Sequence, residues 1–198
     1  MRNNAKIVRH VMCDGPYNGA MLYSLVRYSD AVAEVVDRID VRFTQSTARL
    51  ILRYAIHGNI TALKIPAFTA PRRVDGLWQH TCCELFLRAA STDAYFEFNF
   101  SPSTEWAAYR FDAYRSGMTT PNVAAPQIDL RRTDNSMELT ASIDLAGLAE
   151  LSKLSLRVGL SAVIESTDGR KSYWAIQHPA GKPDFHCADC FVGVFPTI

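Results

Sequence analysis

The chain shows no export signal, no membrane-length apolar run and no excess of one charge, and each absence removes a class of function. Residues Met1 to His10 contain no apolar core of the kind a signal peptide needs. No stretch approaches the roughly 20 apolar residues of a spanning helix. The 21 basic and 20 acidic residues leave a formal charge of +1. Such a balance exerts no pull on nucleic acid or anionic membranes, and neither is expected as a partner. Cysteine is sparse and odd in number: Cys13, Cys82, Cys83, Cys187 and Cys190. Five thiols without an export signal predict reduced cysteines in a cytoplasmic protein. A nucleophile elbow, an H-E-x-x-H helix, a phosphate loop and a dinucleotide fingerprint are all missing.

What is present is alternation. With 198 residues, 48% hydrophobic and 21% charged, the chain fits one globular domain over residues 1–198, with 1–34 as a poorly patterned extension. Within that extension Met21 to Val26 reads as a short strand, and Asp30 could cap a short helix from about Ala31. Ile39, Val41 and Phe43 alternate with Arg38, Asp40 and Arg42. Leu50, Leu52, Tyr54 and Ile56 continue the pattern up to the turn at His57-Gly58-Asn59. Thr61 to Ile65 reads as a short return strand. Further strands are expected at Met137 to Ile143, at Leu154 to Ile164, at Ser172 to Gln177 and at Phe191 to Phe195. Asp144 should cap a short helix over Leu145–Leu151. Nine or ten strands with minimal helix predict an all-β, antiparallel sandwich of jelly-roll type, because such strands hide their apolar faces in a second sheet.

The most informative block runs from Trp78 to Asp112. In its first strand Cys83, Leu85 and Leu87 oppose Cys82, Glu84, Phe86 and Arg88. In the second, Phe96, Phe98 and Phe100 oppose Tyr95, Glu97 and Asn99. In the third, Ala107, Tyr109 and Phe111 are read as the apolar row, against Trp106, Ala108, Arg110 and Asp112. Successive side chains on a strand point to opposite faces, so the block predicts a sheet with one greasy face. Its other face would carry carboxylates, an amide, a guanidinium and an indole. That mixture suits a polar ligand with flat apolar faces, such as a sugar.

Candidate ligand-binding residues are therefore Trp78, His80, Glu84, Glu97, Asn99, Trp106 and Arg110, joined by Trp174. The segment 172–186 adds a rim loop bearing His178, Lys182, Asp184 and His186. The expected role is non-catalytic. A glycoside-processing enzyme is the alternative through Glu84 with Glu97, or either with Glu105. No cofactor is expected. Haem is the other alternative, through His80, His178, His186 or Met118, although no C-x-x-C-H attachment motif occurs. The groups His186-Cys187-Ala-Asp-Cys190 and His80-Thr-Cys82-Cys83 suggest zinc only superficially, since adjacent Cys82 and Cys83 point to opposite faces.

Three stretches carry a family resemblance: Asp75-Gly-Leu-Trp-Gln-His-Thr-Cys-Cys-Glu-Leu-Phe-Leu, Asn99 to Asp112, and His178-Pro-Ala-Gly-Lys-Pro-Asp-Phe-His. On these the chain resembles DOMON-like domains related to family 9 carbohydrate-binding modules, from about residue 36 onward. It looks most like a cytoplasmic bacterial subgroup of them. The resemblance implies a β-sandwich that binds sugar or, in some members, haem. Trp78 and Glu84 match the Trp…Glu opening of the family's central strand, and Asn99 the polar position of the next. For the second tryptophan of an aromatic sugar clamp, Trp106 and Trp174 are both candidates.

Overall fold

The computed structural model of the chain describes residues 20–28, 35–45, 49–151 and 154–195. Cys13 and the helix expected from about Ala31 lie outside them. Eleven strands follow one another: β1 Met21–Arg27, β2 Val36–Gln45, β3 Arg49–Gly58, β4 Cys82–Ala89, β5 Tyr95–Phe100, β6 Trp106–Phe111, β7 Gln127–Arg132, β8 Ser136–Asp144, β9 Leu156–Glu165, β10 Lys171–Ala175 and β11 Gly193–Phe195. Helical structure among the described residues amounts to short 3-10 segments, the longest at Leu145–Leu151. Asp144 caps that segment, its Oδ1 accepting from the Ala146 N–H at 2.8 Å.

The strands pair antiparallel in the order β6-β5-β4-β9-β10-β1-β2-β3-β8-β7, with β11 added beside β9. β1 is the corner. Its residues Met21 to Leu25 pair with β2, while Val26 and Arg27 pair with β10. The sheet thus folds over into two facing halves, an antiparallel sandwich of jelly-roll type. Between the halves lies one apolar core. Ile39, Val41, Phe43, Leu52 and Ile56 come from one side, and Leu85, Leu87, Phe98, Phe100 and Leu160 from the other. Tyr54 of β3 crosses this core and donates its hydroxyl to the backbone carbonyl of Glu84 at 2.6 Å. Tyr54→Phe keeps the ring and removes that bond. We expect a cost of about 1 kcal/mol in the urea-unfolding free energy. An unchanged midpoint would show that this cross-sheet bond contributes nothing.

The two halves differ in how their outer faces are treated. β3 and β8 alternate strictly between buried and open positions. β4 and β5 are buried on nearly every residue, on both faces. Chain segments around residues 74–80, 112–118 and 177–192 lie over the second face of that half, and this cover builds the site.

Three strand expectations need correction. Thr61 to Ile65 is not a return strand: Ile60–Ala62 forms a 3-10 turn, and Leu63 makes only an isolated bridge to Ser166. Asn59 starts that turn, its carbonyl accepting from the Ala62 N–H at 3.2 Å. β7 was not anticipated; its alternating Ile128 and Leu130 pack on the core from a polar edge strand. On β6 the two rows are exchanged. Phe100 lies opposite Trp106 and Phe98 opposite Ala108, and directly opposed residues share a face. Trp106 and Ala108 therefore face the core, while Ala107, Tyr109 and Phe111 face outward onto the covered side.

Candidate functional site

The covered face of β4, β5, β6, β9 and β10 is the candidate site. Pleating and register set its floor. On β4, Cys82, Glu84 and Phe86 point out of the core, opposite Val163, Ser161 and Gly159 of β9. On β5, Asn99 lies opposite Glu84, and Glu97 opposite Phe86. Glu84 and Glu97 are therefore diagonal neighbours on one face, roughly 7 Å apart at the backbone. Both are buried, at 2% and 5% exposure.

Apolar clusters cap the two ends of this floor. At one end Phe86, Tyr95 and Phe111 pack with Phe191 of the 177–192 strap. Gly159 lies close under Phe86: a Cβ there would come within 3.2 Å of the Phe86 Cβ, tighter than ordinary packing. At the other end Leu77 packs on Cys82 and Ala107. Between the caps opens a cleft of about 900 Å³. Glu84 and Glu97 line its base. Trp78, Tyr109, Tyr173 and Phe185 supply aromatic wall, and Arg115 and Lys182 supply positive charge.

Each polar group at the base has a traceable partner. Ser161 Oγ donates to Glu84 Oε2 at 2.9 Å. Asn99 Nδ2 donates to Glu97 Oε1 at 2.8 Å. The Arg115 backbone N–H donates to the Tyr95 hydroxyl at 3.2 Å, and that hydroxyl lies 2.7 Å from His186 Nδ1. The other ring nitrogen, His186 Nε2, faces Glu97 Oε2 at 3.7 Å.

Burial dominates the electrostatics. It raises Glu84 strongly, and the Glu97 charge pushes in the same direction; the Ser161 bond and the Arg115 charge offset only part. Burial also raises Glu97, partly offset by the Asn99 bond and by Arg115. Two like charges side by side in a buried floor do not both ionise readily, so near neutrality the pair holds a proton between them. Burial lowers His186 to about 4, helped by the Arg115 charge, so the imidazole is neutral. Burial alone would raise Asp184, but bonds from Tyr114 and Arg115 outweigh it and hold the carboxylate low. Asp184 is the strap's anchor: Arg115 Nη2 donates to its Oδ1 at 2.8 Å and the Tyr114 hydroxyl to its Oδ2 at 2.5 Å.

The sequence-derived candidates separate cleanly. Trp78, Glu84, Glu97, Lys182, Asp184 and His186 meet in the cleft, and Asn99 braces Glu97 from behind. Trp106 does not join them; it is 5% exposed within the core. Trp174 lies opposite Ala162, also in the core. Arg110 lies on the other face of β6, bonded to Glu150 and Asp112. His80 is an exposed partner of Glu165 at 2.7 Å, and His178 Nε2 bonds the carbonyl of Val26 at 2.8 Å. Neither lines the cleft.

Sequence reasoning missed Arg115, Tyr109, Tyr173, Phe185 and Ser161. A signal existed for Tyr109: the register of β6 alone decides which row faces outward. Arg115 had none, because a tight turn places it, with φ of 50° in the left-handed region. Among the described residues no three His, Cys, Asp or Glu side chains cluster as metal ligands. Cys82, Cys83, Cys187 and Cys190 are free thiols.

No protein-family model and no curated protein matches the chain. Among solved structures, a Bacteroides uniformis protein proposed to bind carbohydrate is similar in fold. The TM-score is 0.62 at 15% sequence identity, covering 88% of this chain and 84% of that one.

Proposed function

We propose that the chain is a non-catalytic binding module that holds a carbohydrate or glycoconjugate in the cleft over β4, β5 and β9. The finer assignment, to DOMON-like domains related to family 9 carbohydrate-binding modules, belongs to the same proposal. One observation carries the reading. An indole 54% exposed, that of Trp78, stands on a cleft of about 900 Å³ with Tyr109, Tyr173 and Phe185 in its walls and buried carboxylates at its base. Flat rings stack on the C–H faces of a sugar, while carboxylates and guanidinium bond its hydroxyls. The fold likeness to a protein proposed to bind carbohydrate supports the same reading. The haem alternative is less well served. Of the candidate iron ligands, His186 and Met118 line the cleft; the two ring nitrogens of His186 face Tyr95 and Glu97, which leaves the Met118 thioether without a histidine opposite it.

Fluorescence tests the proposal directly. Of the three tryptophans, Trp106 and Trp174 are buried in the core, so Trp78 is the reporter. Titration with mono- and oligosaccharides should quench its emission, and Trp78→Ala should abolish the response and weaken binding by calorimetry. A flat calorimetric and fluorescence response across a broad glycan panel would remove the reading. Turnover of a glycoside, lost in Glu84→Gln, would replace it with an enzyme.

A further inference from the structure

We infer that the ligand of this cleft carries a positively charged amine, as an amino sugar with a free amino group does, and that Glu84 and Glu97 seat it. This deepens the sugar-binding reading and rests on it. The neutral donors nearest the two carboxylates are already turned onto protein. Ser161 donates to Glu84 Oε2 and Asn99 to Glu97 Oε1, and the Tyr95 hydroxyl is engaged with His186 Nδ1. Tyr109 donates to Asp75 Oδ1 at 2.8 Å. Acceptors remain. Glu84 Oε1 has no hydrogen-bond partner among the described residues and opens on the cleft. Glu97 Oε2 has only His186 Nε2 in front of it, at 3.7 Å, beyond hydrogen-bond length. A ligand that fits this floor brings donors rather than acceptors.

Charge narrows the choice further. Arg115 offsets part of the charge of both carboxylates, but its guanidinium is shared with Asp184 at 2.8 Å. Lys182 and Asp75, one of each sign, also line the cleft. His186 is neutral. Even with Glu84 and Glu97 sharing one proton, the groups lining the cleft therefore carry one negative charge in excess. A hydroxyl would bring one donor and no charge. An ammonium brings three donors and the missing positive charge, and charge-assisted bonds of this kind are about twice as strong as neutral ones.

Three trisaccharides with one β-1,4 backbone make the test: the fully deacetylated chitosan trimer, the chitin trimer and cellotriose. They differ in carrying an amine, an acetamide or a hydroxyl at C2. Calorimetry at about pH 7, where Glu97 is ionised and much of the sugar amine is still charged, should give the amine trimer roughly tenfold or more tighter binding than either other, the scale of one charge-assisted hydrogen bond. Glu84→Gln and Glu97→Gln keep the size of the side chains and should each shrink that preference, with circular dichroism confirming the fold. A wild type that favours the amine, with variants that lose the favour, supports the inference. Equal affinity for all three, or preference for the acetamide or hydroxyl, overturns it and leaves sugar binding standing. An amine preference that survives both variants also overturns it, since the carboxylates would not be its cause. Binding of none of the three, nor of any member of the glycan panel, removes both readings.

Discussion

Between about pH 6.5 and pH 8 the wild-type protein should lose stability relative to Glu84→Gln as the pH rises. The cause is the buried pair. Burial and the neighbouring Glu97 charge raise Glu84 from the ordinary 4.5 to about 8 in the folded state. A carboxyl raised in this way binds more protons when folded than when unfolded throughout that interval. Stability from it is complete below about 4.5, declines as the pH climbs, and has gone once the pH passes the folded value. Other groups have to be set aside before the slope is read. His178 and His186 are lowered from 6.5, chiefly by burial. Each binds fewer protons folded than unfolded, so their contribution still rises up to about pH 7.5 and opposes the fall. Glu97 is raised less, to about 6, and titrates mostly below the window. Burial raises the thiols of Cys82, Cys83 and Cys190 above the ordinary 9.0, which adds a decline from about pH 8 upward. Wild type and variant share all of these groups, so the difference between the two belongs mainly to Glu84. At about 1.4 kcal/mol per pH unit it amounts to roughly 2 kcal/mol between pH 6.5 and 8. Glutamine accepts from Ser161 as the acid does and never ionises, so the variant should be the more stable protein at pH 8. Urea midpoints of both proteins measured across the window decide it. A gap between the two midpoints that does not widen with pH would mean that the pair is better solvated than its burial implies.

The same residues show how much the sequence carried. The sandwich was legible because alternation at Leu50 to Ile56, Met137 to Ile143 and Leu154 to Ile164 specifies which side of each strand is buried, and two halves are needed to bury it all. Glu84, Glu97 and Asn99 were legible for a related reason: charged and amide groups punctuating phenylalanine rows mark the face away from the core. β6 resisted because both of its rows carry aromatics. Trp106 and Ala108 are as plausible outside as Tyr109 and Phe111 until the turn from Ser101 to Glu105 fixes the register opposite Phe100. A one-residue difference in that turn would exchange the faces. The cover over the site was illegible altogether. β4 and β5 read as strands with one polar face, yet both faces are buried, because distant segments bring Arg115, Phe185, His186 and Phe191 over them. Periodicity records which way a side chain points, not what arrives on top of it.

Trp106 and Trp78 separate the core from the cleft by experiment, and their alanine variants should fail in opposite ways. Trp106 lies at 5% exposure, opposite Phe100 and within the core that the two halves share. The Arg73 guanidinium sits over its ring at 4.4 Å, and the Trp106 backbone carbonyl accepts from the Val74 N–H at 2.9 Å. Removing the indole leaves a cavity that packed neighbours on β5 cannot close, and large-to-small changes of this kind cost about 3–5 kcal/mol. Trp106→Ala should therefore lower the urea midpoint steeply. The fraction that remains folded should still bind, because Glu84, Glu97 and Trp78 do not touch that side of β6. Trp78 is in the reverse position. It stands on a 3-10 turn at Leu77–Gln79, more than half exposed, so its loss should change stability by about 0.5 kcal/mol or less. Under the proposed sugar binding its ring is the stacking surface, and losing a hot-spot tryptophan costs about 2 kcal/mol or more in binding, over tenfold in affinity. The crossed outcome, binding lost with stability kept in Trp106→Ala, would mean that β6 turns its other row to the ligand and that the register opposite Phe100 is not the one the protein uses.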